Sequence, residues 1–222
     1  MSEASPLPSG IVTFVLTDIE SSTKLLRRLG DRYPEVLERH LAVMRDAWAR
    51  HGGREMDSVG DSVLVAFPEA SAALRACAEA QRTLAAVPWP PGGEVRVRMG
   101  VHSGLAAPRD GRYVALTVHQ AARVMSAAHG GQVLVSSDSV ALLSATHDIA
   151  IVPVGRYRLR DFDEPVQLFQ LSELDADHRF PGVRALPADG HNLVAPPTSF
   201  VGRDDEVDDV VDALVSGRLV TL

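Results

Sequence analysis

An α+β domain, an antiparallel or mixed sheet with helices packed on it, is the fold class this sequence predicts. Apolar β-branched runs such as residues 11–16 are interspersed with stretches of helical periodicity such as 33–51. Residues 54–67 hold a tight-turn signal, Gly60-Asp61, between two strand-like halves, which reads as a hairpin. The elements follow no strict βαβ repeat, so a doubly wound parallel sheet is disfavoured.

Residues 1–9 are small and polar with two prolines, a disordered lead. Residues 11–17 make the first strand, which delivers Asp18 at its end. A helix follows to Leu29: Leu25, Leu26 and Leu29 share a face, Ser21, Ser22 and Thr23 open it, and Gly30 suits its C-terminus. Val36, Leu37, Leu41, Met44, Ala47 and Trp48 mark a second helix over 33–51, stopped by Gly52-Gly53. The hairpin comes next, then an alanine-rich helix over 69–86 and a proline-rich loop at 88–93. Over 95–103, Val95, Val97, Met99 and Val101 alternate with Arg96 and Arg98, a strand with one basic face. A loop at 108–111 precedes a helix over 116–128, a strand at 132–136, a short helix at 137–144 and two or three strands between 149 and 171. Residues 172–199 carry acids and four prolines and read as a linker. A helix over about 204–215 and a strand at 218–222 then begin something new, too little to bury a core alone.

At 222 residues, 45% hydrophobic and 23% charged, the chain is expected to be one soluble domain with a remnant of another. A net charge of -7 argues against a nucleic-acid or anionic-membrane surface. No stretch approaches the ~20 apolar residues of a membrane span. The N-terminus lacks a basic signal-peptide start, and Asp18 and Glu20 break its apolar run. The single cysteine, Cys77, excludes an internal disulfide, reads as a small buried helix residue, and fits a cytoplasmic setting.

Asp18 and Asp61 are the first chemical candidates. If strands 11–17 and 62–67 are neighbours, the two carboxylates meet at one sheet edge. Beside them a helix starts with Ser21, Ser22 and Thr23, and the amides at a helix start can hold a phosphate. Two oxygen ligands beside a phosphate are what divalent-metal phosphoryl chemistry needs. The competing reading makes Asp18 a helix cap and Asp61 a turn residue. His102, on a strand, reads as a packed or hydrogen-bonded structural histidine.

Four stretches, in this order and spacing, resemble the signatures of class III nucleotidyl cyclase catalytic domains. They are Phe14-x-x-Thr17-Asp18-Ile19-Glu20-x-Ser22-Thr23, Val59-Gly60-Asp61-Ser62-x-x-x-Ala66-Phe67, Gly100-Val101-His102-Ser103-Gly104 and Val118-His119-Gln120-Ala121-Ala122-Arg123-Val124. The resemblance covers about residues 10–171. It implies a ferredoxin-like α+β fold and cyclisation of ATP or GTP to 3′,5′-cyclic nucleotide, with pyrophosphate leaving, in a head-to-tail homodimer. It implies two Mg²⁺ or Mn²⁺ ions per site on Asp18 and Asp61, phosphates on the amides of residues 19–23, and Arg123 stabilising the pentacovalent phosphate.

Three positions depart from the family pattern. Asp57 stands at the base-reading lysine, Arg112 at the base-reading aspartate, and His119 at the ribose-orienting asparagine. The first two exchange charges, so the pair either bonds to itself across the interface or reads a base in another geometry. His119 keeps one donor for a ribose oxygen. Ala115 stands where a glycine is usual. Two functions are therefore open: a cyclase of weak or relaxed activity, or a degenerate pseudo-cyclase that senses nucleotide or dimerises. A second resemblance begins at Thr198-Ser199-Phe200-Val201-Gly202-Arg203, which is similar to the entry of signal-transduction ATPase modules. It implies the actinobacterial order of cyclase, ATPase and LuxR-type DNA-binding regulator. The P-loop itself is absent from these residues, and no nucleic acid is expected to bind this segment.

Overall fold

Strand β1 (Gly10–Ile19) is an interior strand of the main sheet, paired along its whole length on one side and over Thr13–Thr17 on the other. The structure, a computed structural model, describes residues 7–143, 149–172 and 180–188 and positions 209, 212 and 213. After β1 come helix α1 (Ser22–Leu29), a 3₁₀ turn (Gly30–Arg32), helix α2 (Tyr33–Arg50), strands β2 (Arg54–Val59) and β3 (Ser62–Phe67), and helix α3 (Ala70–Ala86). The chain continues through β4 (Val97–Ala106), a two-stranded arm β5 (Pro108–Arg109) and β6 (Arg112–Tyr113), and helix α4 (Leu116–Ala127). Strand β7 (Val133–Ser136), the short helix α5 (Ser137–Val140), β8 (Ala150–Arg158), β9 (Val166–Ser172) and β10 (Leu186–Pro187) complete it.

The main sheet has the order β10-β8-β9-β7-β4-β1-β3-β2. All its pairs are antiparallel except β4 with β7, so the expected mixed, mainly antiparallel α+β architecture is what forms. Strand alternation gives each face its own core. Val15, Ile19, Val63, Val65, Phe67, Val97, Met99 and Val101 pack under α1, α2 and α3 with Trp48, Met44 and Leu74. Val12, Phe14 and Ala66 face the other way, against Ala121 of α4 and Tyr113. The second face is the thinner one. Leu16, Met56, Leu64 and Val118 are only partly buried there, and Val114 and Leu116 beside them stand exposed.

Two expectations are corrected. The segment 108–111 is not a plain loop: the strands flanking its turn pair as β5 and β6, each only two residues long and too short to read as periodic. Nor is 172–199 a free linker throughout. Leu186 and Pro187 pair with Tyr157 and Arg158 of β8, and the Ala188 amide bonds the Arg156 carbonyl at 2.8 Å. An unpaired edge of β8 attracts this strand, whatever its composition. The chain divides into units at 1–190 and 191–222. Of the ATPase-like start at 200–222, only Asp209, Asp212 and Ala213 are described, and these are helical; the rest lies outside the described residues.

His40 of α2 is fully buried and neither ring nitrogen has a partner. Burial, helped by Arg45 and opposed by Asp18, lowers its pKa from 6.5 to about 4. The unfolded imidazole therefore takes a proton that the folded one refuses. This share of stability is complete above pH 6.5 and is lost as the pH falls towards 4. Between pH 7 and pH 4.5 the loss is about 2 kcal/mol. His40→Leu is expected to flatten that part of the pH dependence in urea unfolding; equal losses in both proteins would refute the assignment.

Candidate active site

Asp18 is the penultimate residue of β1 and Asp61 sits in the β2–β3 turn, where Gly60 takes φ 62°. Because β1 pairs β3 with Thr17 opposite Val63, the two carboxylates arrive together. The Ile19 amide donates to Asp61 Oδ2 at 3.0 Å and fixes that side chain against the end of β1. Burial first, and the hydrogen-bonded Asp61 second, push the Asp18 carboxyl above the usual carboxylate range, while Arg98 opposes them. Two like charges crowded in a part-dry site are the donor set that a divalent cation relieves. Among the described residues no group of three or more such ligands occurs, so substrate oxygens and water must complete any coordination.

Arg98 was not among the residues singled out from the sequence. It lies directly across from Asp18 on β4 and donates from both Nε, at 3.0 Å, and Nη2 to Asp18 Oδ2. The only hint was the basic face of the strand. Tyr33, at the start of α2, also borders the pair: burial, then Asp61 and Asp18, raise its hydroxyl pKa.

The set of amides open at the helix start is narrower than expected. Of the amides at residues 19–23, that of Ile19 is taken by Asp61 and that of Glu20 by the Arg96 carbonyl at 2.9 Å. Strand β1 extends to Ile19, two residues beyond the expected strand, so a turn carboxylate and the neighbouring chain take these two donors. Ser21, in the left-handed conformation at φ 59°, then reverses the chain into α1. The amides of Ser21, Ser22 and Thr23 remain as the helix-start donors.

Arg123 and His119 lie one turn apart on α4, but the structure shows no contact between either residue and Asp18 or Asp61. Arg123 Nε donates to Asp161 Oδ2 at 2.6 Å, in the turn between β8 and β9. That turn is held from beneath. Gln120 Nε2 bonds the Asp161 carbonyl at 3.1 Å, and Gln120 Oε1 meets His102 Nε2 at 3.1 Å. His102 Nδ1 bonds Ser136 at 2.8 Å, its ring lies edge-on to Phe162, and burial lowers its pKa. The expectation of a structural histidine is met: His102 supports the mounting of Arg123. Asp57 is exposed and turned onto its own chain, accepting from the Ser58 amide at 2.9 Å, next to a β-bulge at Met56. Arg112 is exposed on β6, and no side-chain bond joins it to Asp57 within the chain among the described residues. Cys77 is buried in α3, and burial raises its thiol pKa, so it is chemically inert.

Paired carboxylates beside a helix start, with a basic helix residue held apart, are groups that divalent-metal phosphoryl chemistry can use. The profile of the adenylate and guanylate cyclase catalytic domain matches residues 6–173, and the chain belongs to that family. An uncharacterised protein of Mycobacterium tuberculosis is 32% identical over 205 residues, which span 90% of this chain and 70% of that protein. A receptor-type adenylate cyclase of Trypanosoma brucei brucei is 29% identical over 209 residues, 74% of this chain but only 17% of that protein. Among solved structures, an adenylate cyclase of Trypanosoma brucei in its monomeric state superposes with a TM-score of 0.73 at 27% identity, covering 81% of this chain and 95% of that one. The guanylate cyclase domain of a Catenaria anguillulae protein in complex with GTP shares the fold, with a TM-score of 0.65 at 18% identity, covering 74% of this chain and 97% of that one. No helix among the described residues is long and apolar enough to cross a membrane.

Proposed function

We infer that the domain is a nucleotidyl cyclase whose site is completed by a second copy of the chain. The observation that carries this is the division of parts. Asp18 and Asp61 meet at one end of the sheet, while Arg123 is mounted on α4 against the β8–β9 turn. The half-covered face bearing Leu16, Met56, Leu64 and Val118 offers an apolar surface for the partner.

Asp18 and Asp61 would hold Mg²⁺ or Mn²⁺, two per site, which supplies activation of the ribose 3′-hydroxyl and charge neutralisation of the phosphates. The amides of Ser21, Ser22 and Thr23 orient the triphosphate. His119 donates to a ribose oxygen. Arg123 would stabilise the α-phosphoryl group, where negative charge grows as the 3′-oxygen, its proton passing to water, bonds to phosphorus and the bond to the leaving pyrophosphate breaks. Asp57 and Arg112 stand at the base end.

Purified protein incubated with Mn²⁺ or Mg²⁺ and ATP or GTP should release cyclic nucleotide. No product above the background of Asp18→Ala overturns the proposal. Metal-dependent nucleotide binding without turnover would instead support a regulatory pseudo-cyclase. The exchanged charges give a sharper expectation: the double substitution Asp57→Lys with Arg112→Asp should raise turnover of ATP at least tenfold, because a donor then meets the adenine N1 and an acceptor its 6-amino group. Chromatographic quantification of cyclic AMP checks it, and an unchanged rate would mean that base reading is not what limits the enzyme.

A further inference from the structure

The segment after β9 does not simply leave the domain. It crosses back over the end of α4, where the Arg184 amide bonds the carbonyl of Ala127 at 3.0 Å and His129 Nε2 meets the Gly182 carbonyl at 2.9 Å. Val183 and Ala185 pack on the small core that includes Val124, Ala127 and Leu134. From this strap Arg184 Nη2 reaches Glu20 Oε1, and the His129 ring stands 4.0 Å from the same oxygen. The Glu20 side chain lies against Gly130, where an added Cβ would come within 2.8 Å of Oε2. Glu20 is the residue between Asp18-Ile19 and the free amides of Ser21, Ser22 and Thr23.

We propose that Arg184 is a positioning residue for the phosphate-binding turn. This rests on the reading of residues 21–23 as the phosphate donors. Helix-start amides favour an anion, but a bare carboxylate one residue away opposes one. Arg184 removes that opposition by pairing Glu20 and drawing its carboxylate towards the α4–β7 junction. The guanidinium comes from the strap through which the polypeptide continues towards residues 191–222, so displacement of the strap withdraws a positive charge from the turn. Nucleotide affinity is thereby coupled to the docking of the strap that leads into β10.

The test uses the full chain with Arg184→Ala, Arg184→Lys, Glu20→Gln and the double variant Arg184→Ala with Glu20→Gln, each checked for an unchanged melting profile. Arg184→Ala should raise KM for the nucleotide about three- to fivefold, the range open to a part-exposed ion pair, with kcat within twofold. Arg184→Lys should recover most of the loss, and Glu20→Gln should remove the effect of Arg184→Ala. An unchanged KM in Arg184→Ala, or a loss that Glu20→Gln does not relieve, overturns the proposal. If the unaltered protein itself makes no cyclic nucleotide, the enzymatic reading fails separately, and hydrogen exchange judges the clasp alone. Arg184→Ala should then speed exchange of the amides of residues 20–25 and leave those of β3 unchanged. Equal protection in both proteins refutes it.

Discussion

Asp18→Asn is expected to abolish cyclic nucleotide formation while leaving the metal-free protein as stable as before or slightly more so. The loss of activity, at least a thousandfold, follows if Asp18 is half of a two-carboxylate donor set, because an amide oxygen cannot replace its charge. The stability expectation comes from the environment. Burial and Asp61 together outweigh Arg98 and raise the Asp18 pKa, so the folded state binds this proton more readily than the unfolded state does. The sign follows: Asp18 costs stability as the pH rises from 3.8 through its raised folded value, and the cost is complete once the pH lies above that value. Asparagine removes that cost and still offers an oxygen to Arg98. Thermal unfolding in a chelator and a turnover assay on the same preparation check both halves. A large drop in melting temperature would mean that the Arg98 pairing dominates and that inactivity reports unfolding.

The parts of this site that are legible in the sequence are local. Asp18 ends an apolar run, Asp61 sits beside a turn glycine, and the register of a hairpin follows from its turn. Arg123 and His119 are one helical turn apart by spacing alone. What could not be read depends on strand partners far away in the chain. Arg98 meets Asp18 only because β4 pairs with β1 in one register, 80 residues apart. The loss of the Ile19 and Glu20 amides has the same origin, since their acceptors belong to the β2–β3 turn and to Arg96. Asp161 looks like any turn residue until the fold brings it to Arg123. The strap at 180–188 reads as linker because polar, proline-containing composition says nothing about the edge of β8 that Leu186 and Pro187 pair with.

Gly100 carries the second large expectation. It lies on the α4 face of β4, between Arg98 and His102, and a Cβ there would stand 2.1 Å from the Met125 nitrogen and 2.5 Å from its Cα. These are backbone atoms in the last turns of α4, so no rotamer change can make room. Helix α4 has to lift from the sheet, which opens the packing of Phe14 and Ala121 on one side and of Val124 and Leu134 on the other. Gly100→Ala is therefore expected to cost at least 3 kcal/mol in urea unfolding, the size of a severe overpacking. Gly182→Ala, with nothing within 4 Å of its Cβ, should stay within about 0.5 kcal/mol. The same displacement moves the mounting of Arg123, because Gln120 and the Asp161 turn are anchored through His102, two residues along β4. Any Gly100→Ala protein that does fold should therefore lose kcat more than it gains in KM. A stable, fully active Gly100→Ala variant would show that α4 is free to shift, and would remove the basis for treating it as a rigid carrier of Arg123.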